Sequence, residues 1–241
     1  MDATLASIVA AASPLVYAVV GETIAEKAGV INLSLDGSIM LSAMAGFATA
    51  YVTGSVLLGF VVAVGVSMAV ALLIAFASIE LRLNQIAVGF VLTLLCADLA
   101  SFLGDPYVGQ RMSGVPHLAI PGLSEIPWIG KIFFDQNLSV YGSFLVIGLA
   151  YWFIFRTRRG LELQGVGERP EAAHARGVPV NRLRYFYTVL GGALVGIAGA
   201  AYSLDVRLGW RDGLTTNYGW IALAIVIFGG WHPVRAATGA Y

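Results

Sequence analysis

Five polar side chains set in otherwise apolar surroundings are the first candidates for chemistry: Asn32, Asp36, Asn84, Gln85 and Asp98. Asn32 and Asp36 are four residues apart and would share one face of a helix. Polar groups held inside a membrane face a pathway or a protein interior, so this pair is a candidate lining for a polar solute's route. The plainer reading is that Asp36 caps a helix beginning at Gly37, and one residue could serve both ends. Asn84 and Gln85 open a later apolar run, and Asp98 lies within it, where it is expected to face the bundle rather than lipid.

Other chemistries lose ground through what the sequence lacks. The one Gly-Lys pair, Gly130-Lys131, is followed by Ile132 and has Glu125 where a phosphate loop needs its first glycine, so ATP is not expected to bind this chain. His117, His174 and His232 show no metal-ligand spacing, and Cys96 is the only cysteine, so neither a metal centre nor a disulfide framework is expected. No nucleophile–base spacing supports an enzyme, so no catalytic residue and no cofactor is assigned. Fourteen Lys+Arg against fourteen Asp+Glu give no argument for a nucleic acid partner.

The elements that must position these residues follow from composition. The 241 residues are 58% hydrophobic and 12% charged, against roughly 45–50% apolar and 25% charged in soluble domains. Seven apolar segments, 4–20, 38–53, 55–78, 85–104, 138–155, 186–204 and 218–231, approach the roughly 20 residues that a helix needs to cross a bilayer. The runs are continuous rather than alternating, which argues against a β-barrel, and 55–78 carries no charge. No positive stretch precedes the first run, so it is expected to stay as a permanent span. The expectation is all-α: a polytopic transmembrane helical bundle forming one domain over 1–241. Gly192 and Gly196 form a G-x-x-x-G that lets helices approach closely and identifies no function.

Charge orients the bundle. Segment 156–185 holds seven arginines against three glutamates, which predicts a cytoplasmic loop and places 79–84 on the same side, with the N-terminus and 105–137 outside. The outer loop carries Pro106, Pro116, Pro121, Pro127, Tyr107, Trp128, Phe133 and Phe134, and is expected to fold over the outer mouth as an aromatic belt or as a docking surface for an external partner. Segment 21–37 joins the first two spans. It is too apolar at 30–35 for a free loop, and a span starting at Val30 would put Asn32 and Asp36 in the membrane end of a broken helix.

Within the basic loop, Pro170 suits a first helical position, Glu171 and Arg176 complement the two ends of a helix dipole, and Gly177 supplies a left-handed stop. This punctuation predicts about two turns over 170–176. So short a helix is not stable alone. It either docks on another protein or packs on loops of its own bundle, and spacing leaves both open.

Four stretches now carry a resemblance. GETIAEKAGVINLSLDG at 21–37, RLNQIAVG at 82–89, GERPEAAHARGVPVNR at 167–182 and YGWIALAIVIFGGWHP at 218–233 resemble the inner-membrane permease subunits of bacterial ATP-binding-cassette (ABC) importers. The best match is the nucleoside and simple-sugar branch, with ribose and branched-chain amino acid permeases as more distant kin. The resemblance covers nearly the whole chain. It implies a type II importer-like bundle that translocates nucleosides or simple sugars across the bacterial plasma (inner) membrane. It also implies a second homologous permease subunit, ATPase subunits on the cytoplasmic face and an extracytoplasmic substrate-binding protein. The 170–176 helix matches the coupling helix that docks into the ATPase. Gly167, Glu168, Pro170, Glu171, Ala172, Ala173 and Gly177 match that loop, whereas Arg169 stands where the branch often has Asn, and Asp36 where it usually has Glu. Members continue for roughly two more helices beyond the GGWHP-like segment, so the resemblance implies that C-terminal helices are missing here. Its rivals are a branched-chain amino acid permease, which GETIAEKAG disfavours, an ion-coupled secondary transporter with Asp36 or Asp98 as coupling carboxylate, and a membrane-embedded enzyme.

Overall fold

The computed structural model describes residues 2–119 and 133–241; Pro121, Pro127 and Trp128 of the outer-loop expectation lie outside the described residues. The helices in chain order are α1 (Asp2–Lys27), α2 (Leu35–Thr53), α3 (Val56–Ile79), α4 (Gln85–Gly104), α5 (Leu138–Arg156), α6 (Arg158–Glu168), α7 (Pro170–Ala175), α8 (Val180–Ala201), α9 (Tyr218–Phe228) and α10 (Pro233–Ala240). Before α5, β1 (His117–Ala119) and β2 (Asp135–Asn137) form an antiparallel pair. Among the described residues six helices, α1 to α5 and α8, are long and apolar enough to cross a membrane. The seventh apolar segment is different: α9 has 11 residues, about 16 Å at 1.5 Å per residue, half of a hydrocarbon layer about 30 Å thick.

Helix boundaries depart from the apolar runs where charged residues continue a helix. Segment 21–37 is not a linker throughout, because α1 runs on to Lys27. Glu and Lys are good helix formers, and Lys27 suits the negative C-terminal end. Gly29, at φ +82°, then turns the chain. The basic segment 156–185 is also more helical than expected. Thr157 alone separates α5 from α6, and α6 buries Gly160, Leu163 and Val166, one face at three-residue spacing. α8 starts at Val180, not at 186, because Tyr187 packs inward and the Arg184 Nε donates to the Ala28 carbonyl at 3.2 Å.

α2 occupies the centre, with Phe47, Leu35 and Ile39 almost fully buried. α3, α4 and α8 surround it, and the Gly192/Gly196 pair of α8 lies against Ala71, Ala63 and Val64 of α3. At the end opposite the basic segment, α8 passes into a five-residue π turn, Tyr202–Val206. The following strand-like stretch folds back so that Trp210, 2% exposed, packs beside Gly104. Phe133 meets Phe144 with ring centroids 5.9 Å apart, and Tyr107 joins the central core, so the described part of the outer loop lies on the bundle.

Candidate functional site

The turn 28–34 doubles back into the bundle instead of leaving it. Its Asn32 amide donates to Glu22 Oε1 of α1 at 2.9 Å, its Ile31 amide donates to Gln85 Oε1 of α4 at 3.0 Å, and its Leu33 carbonyl accepts from Thr93 Oγ1 at 2.9 Å. Gly37 then packs against Thr93 and Cys96 so closely that an added Cβ would lie 2.5 Å from the Thr93 carbonyl. Those contacts are near the midpoint of α4, which itself has 20 residues. α2 therefore begins deep inside the bundle.

α9 begins at the same depth. The Gly219 amide in its first turn donates to Asp36 Oδ1 at 2.8 Å. A helix N-terminus leaves amides unpaired and carries partial positive charge, and neither can be left in apolar surroundings without cost. Asn217, the residue at the α9 cap, sits at φ 69° and offers no side-chain bond, so the carboxylate of α2 supplies it from 183 positions away. The expectation that Asp36 caps a helix starting at Gly37 gives way to this arrangement: α2 starts at Leu35, and Asp36 caps α9. α2 and α9 thus begin side by side, with the partly exposed Asp36 carboxylate of α2 held at the N-terminus of α9.

The other candidates separate into frame and surface. Asn32 is 2% exposed, outside any helix, and its Oδ1 accepts from the Ser34 amide at 3.2 Å, so it organises the turn and does not share a helical face with Asp36. Asn84 caps α4, accepting from the Ile86 and Ala87 amides at 2.9 and 3.3 Å. Gln85 holds the turn. Asp98 does not face this bundle: it is exposed on a flank of α4 shared with Val91, Leu94 and Phe102, a side that no element among the described residues covers. Sequence reasoning missed the neighbours of this flank. Phe90 of α4 meets Trp220 of α9 at 5.3 Å, and Ser101 Oγ donates to Asp212 Oδ1 at 2.5 Å. Only contact across the fold reveals them.

At the basic end, α7 stands clear of the bundle. Pro170 takes its first position, and Gly177, at φ +82°, ends it with its amide on the His174 carbonyl at 2.9 Å. Arg169 makes no side-chain cap, in keeping with its departure from Asn. Only Ala173 is buried, while Glu171, Ala172 and Arg176 are exposed. A groove of about 350 Å³ runs between α6 and α7, lined by Leu161, Glu162, Arg169, Ala172 and Arg176. Behind it, Gly167 abuts α1, where an added Cβ would lie 2.2 Å from the Lys27 carbonyl. Glu168 and Lys27 border a second, polar cavity of about 290 Å³, and the Trp231 indole donates to the Glu26 carboxylate there. Burial, with Arg235 and Lys27 nearby, lowers the His232 imidazole below its ordinary value, and the ring stacks on Phe155 at 4.9 Å. The arrangement leaves α7 exposed at one end and sets a polar junction in the middle.

Comparison with known proteins supplies a context. A family model described as "Branched-chain amino acid transport system / permease component" matches residues 4–241. TsgC13 of Haloferax volcanii, provisionally assigned as a glucose ABC transporter permease protein, is 40% identical over 97% of this chain and 72% of its own length. The guanosine ABC transporter permease protein NupQ of Bacillus subtilis is 32% identical over 95% of this chain and 76% of its own. The nucleoside ABC transporter permease protein NupC of Lactococcus lactis subsp. cremoris is 32% identical over 93% and 74%. Among solved structures, an inward-facing ABC transporter provisionally assigned to the metal-chelate type superposes with a TM-score of 0.53 at 19% identity, over 98% of this chain and 73% of that one, a likeness of fold.

Proposed function

The chain belongs to the family described as the branched-chain amino acid transport system / permease component, and from that premise we propose that it moves nucleosides or simple sugars through an ABC importer. It is a multi-pass plasma-membrane protein and a permease subunit, a transport component whose ATPase is a separate subunit. The cargo reading is supported by relatives named for guanosine, nucleosides and glucose, which match over 93–97% of the chain and favour this cargo over a branched-chain amino acid.

The pathway runs along the uncovered flank of α4 and α9, closed by a second, homologous permease subunit. Asp36, at the junction of two helix N-termini, and Asp98, on the open flank, meet the hydroxyl groups of the cargo. Asn32, Asn84 and Gln85 frame the junction. At the basic end, taken as cytoplasmic, the loop 156–185 presents residues Gly167 to Ala173 and Gly177, with α7 docking on an ATPase subunit. The loop 105–137 at the other end receives an extracytoplasmic substrate-binding protein. The observation that carries this reading is the exposed α7, braced through Gly167 against the helix that leads to Asp36.

Uptake into proteoliposomes holding the complete set of subunits tests it. Labelled guanosine or glucose is expected to enter only with ATP, ATPase subunits and binding protein present. Uptake driven by a proton gradient without the ATPase would replace the reading with ion coupling, and ATP-driven leucine uptake in place of both solutes would replace the cargo.

A further inference from the structure

We infer that Glu22 is a positioning residue for transport: its buried carboxyl group grips the 28–34 turn, through which movement at the α6–α7 end reaches the Asp36–Gly219 junction. This rests on the reading of α7 as the ATPase dock.

Glu22 lies on α1 and is 1% exposed. Its Oε1 accepts the Asn32 amide at 2.9 Å, whereas Oε2 has no hydrogen-bond partner among the described residues. A carboxyl group with a vacant oxygen in such a place is costly. Packing does not require it, since an apolar side chain would fill the same volume of α1 without that cost. What the carboxyl group adds is a hold on the turn, whose Asn32 amide would otherwise be orphaned.

The turn is held from two sides. Glu22 ties it to α1, while Gln85 and Thr93 tie it to α4. From Asn32 the contacts continue inward: Asn32 Oδ1 accepts from Ser34, the Ser34 and Ser38 hydroxyls are 3.3 Å apart, and Asp36, between these two serines, holds the α9 amide. They also continue outward. The Arg184 Nε donates to the Ala28 carbonyl at 3.2 Å. An added Cβ at Gly29 would lie 2.8 Å from Arg184 Nη2 and 3.4 Å from the Gly167 Cα. A displacement of α6 therefore presses on the outer half of the turn, and the Glu22 bond fixes the point about which its inner half responds. Closely packed segments pass such displacements on because they have discrete arrangements rather than soft ones.

Three substitutions in the assembled transporter test this, with ATP hydrolysed per solute imported as the readout. Glu22→Leu removes the acceptor and keeps the volume. Glu22→Asp keeps the carboxylate but falls one methylene short of the Asn32 amide. Glu22→Gln keeps an acceptor oxygen in place. Glu22→Leu and Glu22→Asp are expected to raise the ATP consumed per solute about ten-fold, the scale of one lost buried hydrogen bond, with the ATPase still bound. Glu22→Gln is expected to stay close to the unsubstituted protein. Coupling that survives in Glu22→Asp, or is lost equally in Glu22→Gln, overturns the inference, and Glu22→Asp decides the matter if Glu22→Leu does not assemble. An unsubstituted complex that imports without ATP overturns the underlying reading as well, so the two failures are told apart.

Discussion

Gly219→Ala is expected to abolish import while the chain still inserts and assembles. The added Cβ would lie 2.1 Å from the Asp36 nitrogen and 2.3 Å from its Cα, with the Leu35 carbonyl carbon at 2.7 Å. All three are backbone atoms at the start of α2, so no side chain can swing aside. α9 has to move away, and the bond from the Gly219 amide to the Asp36 carboxylate breaks. Overpacking costs about 1–3 kcal/mol, and losing a hydrogen bond to a charged group about 1.5–3 kcal/mol. The whole loss falls at the junction of α2 and α9, on the proposed pathway, so it is expected to impair passage more than assembly. Labelled-solute uptake, with gel filtration of the detergent-purified complex to confirm assembly, checks the result; normal uptake would show that this junction is not part of the route.

The second large effect is expected at the other end. In Gly167→Ala the Cβ would lie 2.2 Å from the Lys27 carbonyl oxygen and 3.3 Å from the Gly29 nitrogen, again backbone. α6 must lift from the end of α1. The exposed face of α7, with Glu171 and Ala172, is untouched by this change. ATPase subunits should therefore still co-purify and hydrolyse ATP, while import falls about ten-fold or more, the scale of a coupling energy of 1–3 kcal/mol. Loss of ATPase binding together with import would instead mean that Gly167 shapes the dock itself. This substitution separates docking from transmission, as Gly219→Ala separates assembly from passage.

Hydropathy made the long helices legible, because a continuous apolar run of bilayer length has few other uses. It misplaced their ends wherever charged residues extend a helix beyond the apolar run, as in GETIAEK of α1 and VNRLRY at the start of α8. It also passed over α6, whose apolar face is only Leu163 and Val166 beside a glycine. The depth of α9 was not legible either: 218–231 is apolar enough for a span, but helix length and the Asp36 contact decide where it begins. α7 was readable from Pro170 and Gly177 alone, because backbone punctuation is local. The candidate site was readable by half. Asp36 announced itself as a charge in an apolar stretch, whereas its partner Gly219 carries no chemical mark and lies 183 positions away. The outward side of Asp98 was not legible, because a sequence shows that a carboxylate avoids lipid but not which face of α4 the rest of the chain packs on.

The claim on which the rest depends is that the basic end docks an ATPase on the cytoplasmic side. Cys96, the only cysteine, is 2% exposed and leaves a quiet background for single-cysteine crosslinking. Glu171→Cys on α7 is compared with Leu118→Cys, which is 52% exposed at the opposite end. In membranes containing the ATPase subunit, Glu171→Cys is expected to form a crosslink to it and Leu118→Cys is not. A crosslink from Leu118→Cys, with none from Glu171→Cys, would contradict both the orientation and the docking role of α7.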